Sequence, residues 1–100
     1  MSTAGAPPVL DEGTPGSVRV SGELTFANAA AALAAIGASV ARGRGTLDLS
    51  GVTRSDSAGL ACVLAVLAEA AGRGHKLNVR HLPEGMRLLA SVCEVEGLLV

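Results

Sequence analysis

An α/β fold, with a four-stranded mixed β-sheet and helices packed against it in the order β-β-α-β-α-β-α, is the class this sequence predicts. Three observations predict it. Short runs with apolar residues at every second position, such as Val18-Arg19-Val20 and Thr46-Leu47-Asp48-Leu49, alternate along the chain with longer runs of helical spacing. The segment from Thr46 through the apolar stretch Leu60–Ala71 to Val79 has the length of one strand–helix–strand unit, about 30 residues. Strand–helix alternation implies parallel pairing through right-handed crossovers, and two strands ahead of the first helix imply an antiparallel hairpin at the start.

Residues 1–8, small and carrying Pro7-Pro8, read as a disordered lead-in, and residues 9–100 as a single domain. Val9-Leu10 begins a short edge strand, ended by the turn cluster Asp11-Glu12-Gly13-Thr14-Pro15-Gly16. Val18–Gly22 alternates as the second strand. Thr25 can cap the first helix, whose apolar positions Phe26, Ala29, Leu33, Ile36 and Val40 share one face, and Gly43 and Gly45 close it. The Thr46–Ser50 strand follows, then a helix from Ser57 to about Gly72-Arg73-Gly74. Lys76–Arg80 alternates again, with Leu77 and Val79 inward. Pro83 suits a first helical position, Met86, Leu89, Val92 and Cys93 form the last helix's apolar face, and the tail Glu94–Val100 packs down. The expected core holds Leu47, Leu49, Leu60, Leu64, Leu67 and Val79.

Composition excludes several function classes. Net charge is −1 and the eight Lys and Arg are scattered, so the basic stripe that nucleic acid or anionic lipid calls for is missing. Phe26, the single aromatic residue, offers no platform for stacked bases. Mean hydropathy is high at +0.46, yet the longest uncharged apolar run, Ala58–Ala68, falls short of the roughly 20 residues a membrane span needs. The first residues lack a basic segment followed by an apolar one, so a cytoplasmic location without membrane insertion is expected. Cys62 and Cys93 lack C-x-x-C spacing and are expected as small buried hydrophobes, while His75 and His81 have no partners at metal-ligand spacing and are expected to face solvent. No metal and no cofactor is expected.

The most informative stretch is Leu49-Ser50-Gly51-Val52-Thr53-Arg54-Ser55-Asp56-Ser57-Ala58-Gly59-Leu60, which puts Asp56 and Ser57 at a strand-to-helix junction. The free N–H groups of a helix's first turn favour hydroxyl or anionic oxygen there. Ser57 can cap the helix, or its hydroxyl can serve as a contact point or a phosphorylation site; Arg54 and the helix dipole would favour a phosphate and Asp56 would oppose it. At 100° per residue Leu60, Val63, Leu64 and Leu67, extended by Ala70 and Ala71, fall on a sheet-facing side. Ala58, Ala61, Cys62, Ala65, Glu69 and Gly72 fall opposite. That second face has little side-chain bulk: either alanine is present as a good helix former, or the face lets another protein approach closely. Catalysis has little to work with. Gly-x-Ser-x-Gly is absent around Ser57, Gly43-Arg44-Gly45 lacks the end of a phosphate loop, and Asp11, Glu12, Glu94 and Glu96 read as solvated charges, so no enzyme activity is expected.

Three segments, Ser21-Gly22-Glu23-Leu24, Leu47-Asp48-Leu49-Ser50-Gly51-Val52 and Asp56-Ser57-Ala58-Gly59-Leu60, resemble the STAS domain family over roughly Val18–Leu99. Within it, Ser21–Phe26, Gly51–Ala61 and Leu82-Pro83-Glu84 are most similar to the MlaB-like members. That resemblance implies a non-enzymatic accessory subunit of an inner-membrane phospholipid-transport ABC system, cytoplasmic and held at the membrane through its partner. It implies contact with the ABC ATPase subunit through Thr53, Arg54, Asp56, Ser57 and the Ala58–Ala61–Ala65 face, with the permease and the MCE lipid-binding protein reached indirectly. The family also contains anti-anti-sigma factors, in which a kinase phosphorylates the residue at the position of Ser57. Those usually carry apolar residues before the Asp, where this chain has polar Thr53-Arg54-Ser55.

Overall fold

Alternation in Ser17–Leu24 decides which side of the sheet is dry: Val18, Val20 and Leu24 are fully buried, whereas Arg19 and Glu23 are exposed. In the computed structural model, which describes residues 6–99, this segment is β2, preceded by β1 (Val9–Asp11). Then come α1 (Ala29–Ala41), β3 (Thr46–Ser55), α2 (Ser57–Gly72), β4 (Asn78–Arg80), α3 (Glu84–Val92) and a 3₁₀ turn, Glu96–Leu99. The sheet order is β1-β2-β3-β4; β1 is antiparallel to β2, and the other neighbours are parallel. The expected mixed four-stranded sheet and element order are therefore observed. Helix residues Ala32, Ile36, Val63, Val66, Met86 and Ala90 join Val18, Val20, Leu24, Leu47 and Leu49 in one core, with α2 between α1 and α3.

Among the described residues the other face of the sheet carries no helix and is largely polar. Arg19 donates from Nε to Ser50 Oγ at 3.1 Å, and His81 Nδ1 lies 2.9 Å from Asp48 Oδ1. Burial works against the charge on Asp48, but the Ser50 N–H and His81 outweigh it and hold the carboxyl below its ordinary range.

Strand β3 runs to Ser55 instead of ending at Ser50. Gly51 and Ser55 are turn-prone in isolation, but pairing with β2 overrides that preference. Two irregularities in register, between Arg19 and Ser21 and between Gly22 and Glu23, keep the pair together, so that Glu23 stands opposite Arg54 and Leu24 opposite Ser55. Gly51 is needed there: a Cβ would collide with the Ser21 side chain and the Val20 carbonyl.

Helix α1 starts at Ala29, three residues after Phe26, which is 86% exposed and outside the expected helical face. The reason is a closed turn. Asn28 Oδ1 accepts from the Thr25 N–H at 3.0 Å, the Asn28 N–H donates to the Thr25 carbonyl at 3.0 Å, and Asn28 Nδ2 donates to the Glu23 carbonyl at 2.7 Å. Asn28 Nδ2 also donates to the Ala6 carbonyl at 2.9 Å, so the end of the expected disordered lead-in is tied to the domain; residues 1–5 and Val100 lie outside the described residues.

Helix α2 is turned relative to expectation. Cys62 and Val66 are buried with Leu60 and Val63, while Leu64 and Leu67 are only half-buried, as is Val79 on β4. An almost uniformly apolar helix has no polar face to mark its rotation, and α2 meets the sheet, α1 and α3 on three sides. Burial, with Glu69 adding to it, raises the Cys62 thiol to a pKa of about 11. Leu64→Ala is accordingly expected to cost only about 1 kcal/mol, against about 2–5 kcal/mol for Leu49→Ala. Equal losses in urea melts would overturn this rotation.

Pro83 caps α3 rather than starting it, and Val92 and Cys93, expected inside, are exposed; Met86 is buried and Leu89 half-buried. Leu99 is buried, as expected of a tail that packs down.

Glu12, expected as a solvated charge, ties the β1–β2 connection to the end of α1. Its carboxylate accepts from the fully buried Ser39 hydroxyl and from Arg42 Nη2 at 2.6 Å, and these bonds, that from Ser39 first, lower its pKa. Arg44 Nη1 donates to the carbonyls of Glu12, Thr14 and Ser17 at 3.0, 2.9 and 3.1 Å. Among the described residues no helix is long and apolar enough to cross a membrane.

Candidate functional site

Strands β2 and β3 run parallel and end side by side, which brings the β2–α1 turn against the start of α2. Asp56 joins the two. Its extended backbone (φ −137°, ψ −168°) makes it the N-cap of α2, and its Oδ1 accepts from the N–H groups of Ala58 at 2.9 Å and Gly59 at 3.1 Å. Its Oδ2 accepts from the Phe26 N–H at 3.0 Å. The Phe26 N–H is the largest cause holding the Asp56 carboxyl below its ordinary pKa; those of Gly59 and Ala58 and the nearby Arg54 add to it, against a desolvation penalty. Gly59 allows the close approach, because a Cβ there would sit on the Leu24 carbonyl oxygen.

Ser57 is therefore not the cap. It is the first residue of α2, exposed, and its hydroxyl makes no hydrogen bond among the described residues. Thr53 and Arg54 are exposed on the last stretch of β3 rather than in a loop. Ala61 is exposed, but Ala58 and Ala65 are half-buried on the flank where Glu69 meets Gly37 of α1. The outward line of α2 thus runs through Ser57, Ala61 and Ala68.

Three large apolar residues near this turn are surface groups, which apolar spacing alone does not reveal. Phe26 is 86% exposed, Leu88 59% and Val92 80%. Ser55, Asp56, Gly85, Leu88, Leu89 and Val92 line a groove of about 310 Å³ between the turn and α3. Asn28, a turn former two residues after Phe26, was the available signal that Phe26 precedes the helix. Among the described residues no three His, Cys, Asp or Glu side chains converge as metal ligands.

The family described as "Mlab, STAS domain" matches residues 10–100. The chain belongs to the STAS domain family, in its MlaB branch. Among solved structures, this STAS domain is similar to the anti-sigma factor antagonist SpoIIAA in its unphosphorylated form, at 20% identity and a TM-score of 0.62 over 84% of this chain and 81% of that one. It is similar also to part of the protein described as Mglu, at 24% identity and a TM-score of 0.54 over 76% of this chain but 19% of the other. At these identities the two likenesses carry the fold alone. No curated protein matches the STAS domain described here.

Proposed function

We propose that this STAS domain is a non-catalytic accessory subunit of an inner-membrane phospholipid-transport ABC complex, cytoplasmic and binding the ATPase subunit through Thr53, Arg54, Asp56, Ser57 and the outward line of α2. The permease and the MCE lipid-binding protein are then indirect partners. The observation that carries the reading is the rigid Asp56 turn, which presents an uncommitted Ser57 hydroxyl beside exposed Phe26, Leu88 and Val92. Apolar groups of that size, rimmed by polar ones, suit a protein interface. Non-catalytic action is supported by the placement of both histidines. His81 pairs with Asp48, and His75 follows the far end of α2, about 24 Å along its axis from Ser57.

The same free hydroxyl favours one second reading, an anti-anti-sigma factor phosphorylated at Ser57, with Arg54 to favour the phosphate. Substitutions at Ser57 separate the two. Because Asp56 supplies the cap, Ser57→Ala is expected to leave stability within about 0.5 kcal/mol. In the transport reading Ser57→Thr retains ATPase binding. Ser57→Ala weakens it by the worth of one hydrogen bond, about 1 kcal/mol, and Ser57→Asp impairs it by adding a carboxylate beside Asp56. In the switch reading Ser57→Ala binds its kinase partner permanently and only Ser57→Asp fails. Intact mass spectrometry of the protein from its own cells decides the matter: a substantial singly phosphorylated population at Ser57 would replace the transport reading with the switch.

A further inference from the structure

A larger apolar groove lies at the other end of α2. Leu64, Leu67, Ala68, Ala71, Leu77 and Leu98 line a groove of about 530 Å³, and Lys76 and His75 stand at its edge. Its size falls in the range of small-molecule sites. Leu64 and Leu67 are half-buried and Leu98 is 64% exposed, so the lining is not closed by the described part of the chain. Among the described residues no acidic side chain lines the groove, and the two on its rim that can carry charge, His75 and Lys76, are basic.

We propose that this groove binds a long-chain carboxylate, with the acyl chain along the leucines and the carboxylate on the Lys76 ammonium. The rim charge selects this occupant. A neutral chain would gain no ion pair from the exposed Lys76 ammonium, and a second copy of the domain seated across a two-fold axis through the groove would bring the basic rims of the two copies together. Each buried methylene adds about fourfold to affinity, so the chain supplies the strength and Lys76 the preference for an anion. The groove lies at the opposite end of α2 from the Asp56–Ser57 turn and shares only Ala68 with the outward line of that helix, so titration of the chain without an ATPase partner reads it independently of what binds at the turn.

The test is calorimetric titration of the full chain with oleate below its micellar range, with oleyl alcohol as the neutral control. One oleate per chain is expected, with tighter binding than the alcohol. Lys76→Glu is expected to weaken oleate binding about tenfold, because an exposed ion pair is worth a few-fold and reversal adds repulsion, while leaving the alcohol unchanged. Ala68→Trp, at an exposed position, is expected to abolish both while thermal unfolding stays that of the parent. The proposal is overturned if the parent fails to bind oleate, if Lys76→Glu binds it equally well, or if sedimentation shows instead a dimer that Ala68→Trp dissociates.

Discussion

Gly59→Ala is expected to destabilise the domain by about 2–3 kcal/mol, the scale of a forced steric insertion into a packed site. The sign is the informative part. Within a helix, alanine is normally favoured over glycine by up to about 1 kcal/mol. Here the added methyl would sit on the Leu24 carbonyl, so the first turn of α2 must withdraw from the end of β2. Withdrawal strains the Asp56 bonds to Phe26, Ala58 and Gly59 together. Urea denaturation gives the stability change, and a stabilised variant would mean that the close approach of helix and strand is wrong.

The largest binding effect is expected from Ala61→Arg. Ala61 is exposed on the outward line of α2, one turn beyond Ser57, so the fold should tolerate the arginine. A partner packed closely on that line should not, and a loss of about 2–4 kcal/mol in affinity, enough to abolish co-purification with an ABC ATPase subunit, is expected. Ala31→Arg, exposed on α1, controls for added charge and should leave the complex intact. Ala65 is a poorer probe: it is half-buried, and an arginine there would disturb packing as well as docking. Undiminished complex with Ala61→Arg would remove α2 from the proposed interface.

Much of this architecture is readable from residue types alone, and the reasons are local. Val18, Val20, Leu47 and Leu49 alternate with polar neighbours on the strands of a sheet with one dry face, so their burial follows from a period of two. The Asp56–Ser57 junction is equally plain, because the change from period-two spacing to a helical apolar run has to occur there. Helix α2 is harder. With apolar residues on nearly every side, its rotation depends on three neighbours that sequence spacing does not locate, which is why Val66 and Cys62 take the buried places expected for Leu64 and Leu67. Phe26 lies outside the helix for a related reason. Its hydrophobicity argued for the core, while the Asn28 turn that exposes it depends on the Glu23, Thr25 and Ala6 backbone groups. Glu12 belongs to the same class: its partners Ser39 and Arg42 lie 27 and 30 residues away, beyond any local pattern.

The strand lengths bear on how the protein behaves in a crowded solution. The inner strands β2 and β3 have eight and ten residues, yet β1 and β4, at the two borders of the sheet, have only three each. A border strand displays unpaired N–H and C=O groups on which another chain can add, and the growth of such a stack depends on the length of straight backbone on offer. Here one border follows Pro7-Pro8 and ends at Asp11, and the other follows Lys76 and ends at Arg80. Proline supplies no donor, and like charges repel an incoming copy of the same border. Short, charged borders of this kind offer little template for aggregation at the sides of a sheet whose second face, among the described residues, carries no helix.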